Sequence, residues 1–213
     1  ALKATLQQLH AMDALNKKLR LDPRFKDVVE MSDKQGVPIV DIGIGLNTGV
    51  AIAGEMGSSQ RSDYTVIGDP INLGARLESL CKYYGSKCNI SDFTKVQLTG
   101  NYIYRSLDLV VVKGKSEPVQ IWQVIDYDDK ESKNTLFSVS REELDQELSE
   151  YHEALKIYQN GSFRKALEIF TRMDENKHKT NDKIYKIYIE RCQHYIEFPP
   201  EDFNGVFVHT TKG

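Results

Sequence analysis

The sequence predicts an α+β fold with a small all-helical segment at its carboxyl end. Three observations lead there. Short β-branched and aromatic runs recur at 38–47, 50–54, 64–67, 87–90, 102–112 and 119–126, which is strand chemistry. Helical periodicity stands before and between them, at 1–20 and from Asp69 to about Tyr84. Beyond residue 140 the pattern becomes wholly helical.

Taken in order, residues 1–20 space Leu2, Leu6, Leu9, Met12 and Leu15 three and four apart, as an amphipathic helix requires. Residues 21–36 are polar, punctuated by Pro23 and Gly36, and read as a loop or short helix. The Ile- and Val-rich 38–47 reads as a buried strand; Thr48-Gly49 turns it and 50–54 returns, giving a hairpin. Small polar residues at 55–62 predict a mobile arm. After the strand at 64–67, Gly68 breaks the chain, Asp69 suits an N-cap, and Pro70 suits the first helical position, where its missing N–H would be unpaired anyway. Gly85-Ser86 ends that helix, and Ser91 opens a short one running to about Leu98. The strand at 102–112 alternates Leu107, Leu109 and Val111; 113–118 turns, and 119–126 carries the sole tryptophan, Trp122.

Residues 128–140 read as a linker, with Asp128, Asp129, Lys130, Glu131 and Lys133 making it charged. Three helices follow, at 142–159, 162–172 and 182–196, the first stopped by Asn160-Gly161. Tyr151, Ala154, Leu155, Tyr158, Gly161, Phe163, Ala166 and Phe170 resemble one tetratricopeptide-like hairpin. A solenoid needs about three repeats to stand alone, so 141–213 reads as a helical extension and tail docked on the preceding unit, extending a partner or dimer surface.

Composition excludes several classes. A net charge of -3 and a pI near 6.0 give no electrostatic case for nucleic acid or an anionic membrane. No apolar run approaches the roughly 18–20 residues of a membrane span, so no membrane contact is expected from this portion. Cys81, Cys88 and Cys192 are odd in number and lack metal spacing, and read as reduced cytosolic thiols.

Residues 63–78 join strand, turn and helix with polar groups a buried element would not carry. Asn72 and Arg76, four apart, stand one above the other near the helix amino end. Spacing alone leaves two readings: a solvated face, or a pair that holds an oxyanion or phosphate at the positive end of the helix dipole.

Four ordered blocks carry a resemblance: Ile42-Gly43-Ile44-Gly45-Leu46-Asn47-Thr48-Gly49, Ala53-Gly54-Glu55-Met56-Gly57, the 63–78 stretch, and Val112-Lys113-Gly114-Lys115. Together, over residues 1–127, they resemble the second half of the class III nucleotidyl cyclase catalytic domain, of the bacterial adenylyl cyclase type. The resemblance implies a ferredoxin-like, mostly antiparallel sheet with helices. It implies conversion of ATP to 3′,5′-cyclic AMP and pyrophosphate at a homodimer interface, for intracellular signalling. In its terms Asn72 orients the ribose, Arg76 stabilises the crowded phosphorus, and Lys113 binds the departing phosphates. Thr65 takes the base-reading position, as in a bacterial subgroup of adenylyl cyclases. A hydroxyl can donate or accept, so guanine stays open there. The tail at 199–207 looks like the carboxyl end of bacterial cyclases of this type.

The family's two metal-binding aspartates and its base-reading lysine belong upstream of the helix that Ala1 begins. Asp41 reads as a strand-start carboxylate, Asp63 as a loop charge and Asp69 as a cap, so no metal ligand is assigned. The implied cofactor is Mg2+ or Mn2+, held by residues outside this sequence. The chain then carries the transition-state half of a shared site and is expected to be inactive alone. The implied partners are ATP and a second copy of the chain. The implied location is cytoplasmic, any membrane anchor of the longer protein belonging to an N-terminal region outside this sequence. Two other readings compete: a guanylyl cyclase, and a non-catalytic cyclase-like regulatory domain. Retention of Asn72, Arg76 and Lys113 together argues against the second.

Overall fold

The computed structural model describes residues 1–58, 61–111, 117–128, 139–181 and 183–208. Helix α1 (Leu2–Leu21) buries Leu2, Leu6 and Leu9, as its periodicity requires. The Asp22 carboxylate then accepts from the Arg24 N–H and opens a short 3-10 turn, Pro23–Phe25. Helix α2 (Lys26–Gln35) follows and ends at Gly36, whose φ of 63° closes it in the left-handed form glycine favours.

The first strands pair differently from the expected hairpin. Strand β1 is short (Ile44–Leu46) and does not fold back on the next strand. Instead β2 (Ile52–Ser58) and β3 (Arg61–Ile67) form their own antiparallel pair, from Ile52 opposite Ile67 to Ser58 opposite Arg61. The stretch expected as an arm is therefore largely strand, and Asp63, expected in a loop, faces Met56 within the ladder. Helix α3 (Asp69–Tyr84) then crosses over, and β4 (Cys88–Ser91) lies parallel to β1. Such a parallel return needs a crossover element, here α3.

The main sheet has the order β1-β4-β6-β5-β7. Its long ladder is antiparallel, between β5 (Tyr102–Val111) and β6 (Pro118–Tyr127). Strand β6 also runs antiparallel to β4, and the parallel pairings, β1 with β4 and β5 with β7 (Phe207–Val208), are short. The chain thus has an α+β architecture with a mostly antiparallel sheet. Ser91 caps α4 (Asp92–Lys95) by accepting from Thr94 N–H.

A β-bulge changes the phase of β5. Pairing shifts between Ser106 and Asp108, leaving Leu107 as the extra residue. Leu107 and Val110 are buried while Leu109 and Val111 are only half-buried, so the expected alternation fails beyond the bulge. The bulge leaves backbone groups without ladder partners, and the carboxyl-terminal helices supply them. These are α5 (Arg141–Gln159), α6 (Phe163–Glu175) and α7 (Ile184–Glu197). Tyr151 donates to the Ser106 carbonyl at 2.7 Å, His152 accepts from the Ser106 N–H at 3.0 Å, and Tyr188 donates to the Leu107 carbonyl.

Local signals start and stop these helices. Ser140 and Glu143 form a capping box at α5, and Gly161, at φ 76°, follows its end. One apolar cluster joins Leu73, Leu77 and Tyr84 of α3, Leu107 and Ile121 of the sheet, and Tyr151, Tyr158, Phe170 and Tyr188 of the extension. A second, on the other face, joins Leu2, Leu6 and Leu9 of α1 to Cys88, Ile90 and Val124. The sheet is covered on both faces, and α3 shares its core with α5–α7.

Candidate active site

The site is built at the amino end of α3. Strand β3 runs to Ile67, and Gly68 turns into the helix at φ 153°, where a side chain would be strained. Gly68 itself is the N-cap, with Asp69 first and Pro70 second in the helix, so the expected cap at Asp69 lies one residue earlier. The Asp69 carboxylate still sits in the first turn, where it favours the helix dipole.

Leu73, Leu77, Leu80, Cys81 and Tyr84 form the buried face of α3. Asn72 is exposed and Arg76 half-buried, on a different face, one turn and about 6 Å of helical rise apart. Thr65 is half-buried on β3, opposite Gly54, on the strand that feeds the helix. The structure thus brings Asn72 and Arg76 onto one face and puts Thr65 on the adjoining element. Lys113 lies outside the described residues.

Residues not singled out as functional hold this helix in place. A Cβ on Gly45 would meet the Glu78 nitrogen and the Gly74 carbonyl oxygen at 2.3 Å, and one on Gly49 would meet Pro70 at 2.5 Å. Only glycine lets β1 approach α3 so closely. Asn47 donates to the Pro70 carbonyl at 2.9 Å and accepts from the Ser91 hydroxyl. Buried Asn89 donates to the Leu77 carbonyl at 3.0 Å. The signal for Asn47, Gly45 and Gly49 was their place in one motif block. Asn89 gave none, because its partner is set by the crossover.

Among the described residues no three His, Cys, Asp or Glu side chains come together as a ligand set. The cysteines are buried and unpaired, with burial pushing the Cys88 and Cys192 thiols up to about 12, so they are packing groups and not nucleophiles. No helix among the described residues is long and apolar enough to cross a membrane.

Residues 5–126 match the family described as adenylate and guanylate cyclase catalytic domain. The terminal-differentiation-specific adenylate cyclase of Dictyostelium discoideum is 34% identical over 188 residues, covering 87% of this chain and 8% of that protein. The adenylate cyclase of Anabaena cylindrica is 37% identical over 107 residues, covering 47% of this chain and 21% of that protein. The crystal structure of the adenylyl cyclase CyaB from P. aeruginosa aligns with a TM-score of 0.37 at 33% identity, covering 55% of this chain and 59% of that one. The chain spans less than a quarter of the length of these two curated relatives. A match over more than half of its residues places this chain in the adenylate and guanylate cyclase catalytic domain family.

Proposed function

We propose that this chain is part of an adenylyl cyclase that converts ATP to 3′,5′-cyclic AMP and pyrophosphate, and that it supplies the transition-state half of a site shared between two copies. The observation that carries this reading is the pairing of exposed Asn72 over Arg76 at the amino end of α3, within a chain of this family. Two relatives named adenylate cyclase favour ATP over GTP. In this reading residues 1–127 are the carboxyl-terminal portion of the catalytic domain, 128–140 a linker and 141–213 a helical, tetratricopeptide-like extension and tail.

The ribose 3′-oxygen attacks the α-phosphorus, the bond from that phosphorus to the bridging oxygen breaks, and pyrophosphate leaves. Negative charge grows on the α-phosphate oxygens and the leaving group, so the protein's work is positioning and neutralisation. Asn72 holds the ribose, Arg76 offers a charged planar fork to the phosphate, and the positive end of α3 adds to both. Thr65 meets the base and Lys113 the departing phosphates. The divalent ions of the reaction, Mg2+ or Mn2+, belong to residues outside this sequence. Exposed Ile52 (78%), Tyr64 (74%), Val66 (42%) and Ile71 (43%), on the elements that form the site, support a second copy as the partner.

The test is product analysis by mass spectrometry of the full-length protein given ATP and GTP in turn with manganese. Cyclic AMP from ATP is expected, and Arg76→Ala should remove it while the fold persists. Cyclic GMP alone would favour a guanylyl cyclase, and near-wild-type turnover by Arg76→Ala would overturn the mechanistic assignment.

A further inference from the structure

We propose that the carboxyl-terminal helices are a brace on α3 and that Asn181 is the positioning residue through which they hold it; the catalytic consequence rests on the cyclase reading above. Asn181 is 4% exposed and stands just ahead of α7. Its side-chain nitrogen donates to the carbonyl of Tyr84, the last residue of α3, at 3.0 Å, and to that of Gly85 at 3.4 Å. Its side-chain oxygen accepts from the N–H groups of Lys183 at 2.9 Å and Ile184 at 3.0 Å. One buried amide therefore closes the carboxyl end of α3 and the amino end of α7 together. Both are places where helices leave backbone groups unmatched.

Neighbouring contacts act in the same direction. The Lys183 ammonium donates to the Lys82 carbonyl at 3.1 Å. The Tyr84 hydroxyl donates to Asp108 at 2.7 Å, and Asp108 pairs with Arg191 of α7 at 2.7 Å. Helix α3 runs unbroken from Asp69 to Tyr84, so these ties lie about 12 Å of helical rise from Arg76. Asn47 grips the other end at Pro70. A rod held at both ends tilts when either end is released, and at Asn72 and Arg76 a misplacement near 1 Å costs roughly 10²-fold in rate. The Dictyostelium match, at 87% of this chain, reaches past residue 126 into these helices.

Two variants separate the brace from ordinary capping. Asn181→Asp keeps the oxygen that α7 uses but turns a carboxylate toward the α3 carbonyls, at the negative end of that helix. Lys183→Met removes an exposed tie and leaves the core untouched. Amide hydrogen exchange is read across α3, α7 and β6 in this chain. With Asn181→Asp, exchange through α3, residues 73–77 included, should rise roughly five- to tenfold, the size of one lost hydrogen bond, with β6 unchanged. Lys183→Met should give a smaller rise in the same place, and it carries the test should the first variant not fold. Faster exchange confined to α7, or equal in α3 and β6, overturns the proposal. In the full-length protein Asn181→Asp should lower kcat about tenfold with KM within about twofold. An unchanged kcat overturns the positioning role. If the wild-type protein forms no cyclic nucleotide, the cyclase reading fails, and the exchange pattern in α3 still decides the brace.

Discussion

Gly45 of β1 and Gly74 of α3 pack backbone against backbone: a Cβ on Gly45 would stand 2.3 Å from the Gly74 carbonyl oxygen. The two glycines nevertheless answer differently to the same change. Gly45→Ala has to push the helix away and should lose about 1–3 kcal/mol, as overpacking does. Gly74→Ala would bring its Cβ no nearer than 3.9 Å to Asn47, inside a helix interior, and should gain up to about 1 kcal/mol. Urea unfolding of the two variants checks the opposite signs.

Asn72 is exposed, so its truncation should leave folding intact and act on chemistry alone. In the full-length protein Asn72→Ala should lower kcat by roughly 10²–10³-fold, the cost of one preorganised donor. Steady-state kinetics beside a thermal melt gives the answer, and an unaltered kcat would remove Asn72 from the mechanism.

Asp108 and Arg191 form a pair almost without solvent contact, at 2% and 7% side-chain exposure. Burial works against the Arg191 charge, yet Asp108 and the nearby tyrosines hold its guanidinium well above the usual range. Asp108→Ala leaves that buried cation without its carboxylate and should cost about 3–5 kcal/mol. Replacing both partners, Asp108→Leu with Arg191→Met, should cost clearly less, because no buried charge is left over. Denaturant titration of the single and double variants distinguishes the two.

His152 gives the fold a pH dependence. Burial and the nearby Arg105, Lys156 and Lys95 lower its imidazole to about 4 from an ordinary 6.5. The folded chain keeps the ring neutral, accepting the Ser106 N–H, while the unfolded chain takes a proton below 6.5. Its contribution is complete above about pH 6.5 and is lost as pH falls from there toward 4. Stability measured between about pH 7 and pH 5 should fall less steeply in His152→Gln than in the wild type. Equal slopes would show that the ring does not sense pH.

The β5 bulge explains why the extension belongs to the fold. Ser106 and Leu107 lend their backbone groups to Tyr151, His152 and Tyr188. Residues 1–128 expressed alone should therefore aggregate or fail to show a cooperative melt, whereas 1–208 should melt in one transition. A soluble, cooperatively melting 1–128 fragment would refute this.

What could be read from sequence followed from local spacing. Helices α1, α3 and α5–α7 show in the three- and four-residue recurrence of their buried side chains, and glycines mark the ends of α3 and α5, at Gly85 and Gly161. That recurrence also put Asn72 and Arg76 on one face, because i and i+4 coincide in any α-helix. Lys113 belongs to the same motif reading but lies outside the described residues.

Partners distant along the chain were decided elsewhere. The run at 38–47 contains enough Ile and Val for a strand, but whether it pairs with 50–54 or with β4 depends on where α3 carries the chain. The alternation of Leu107, Leu109 and Val111 marks a strand, but the bulge at Leu107 keeps the three off a single face, since one inserted residue reverses the inward face. Asn181 meets Tyr84, and Arg191 meets Asp108, across most of the extension, with no periodicity to announce either. By itself the sequence determined the long helices and the shared face of Asn72 and Arg76 on α3, because these depend on neighbours within a few residues. Tertiary structure alone decided what holds that helix in place, because buried polar groups find their partners only once distant segments have packed together.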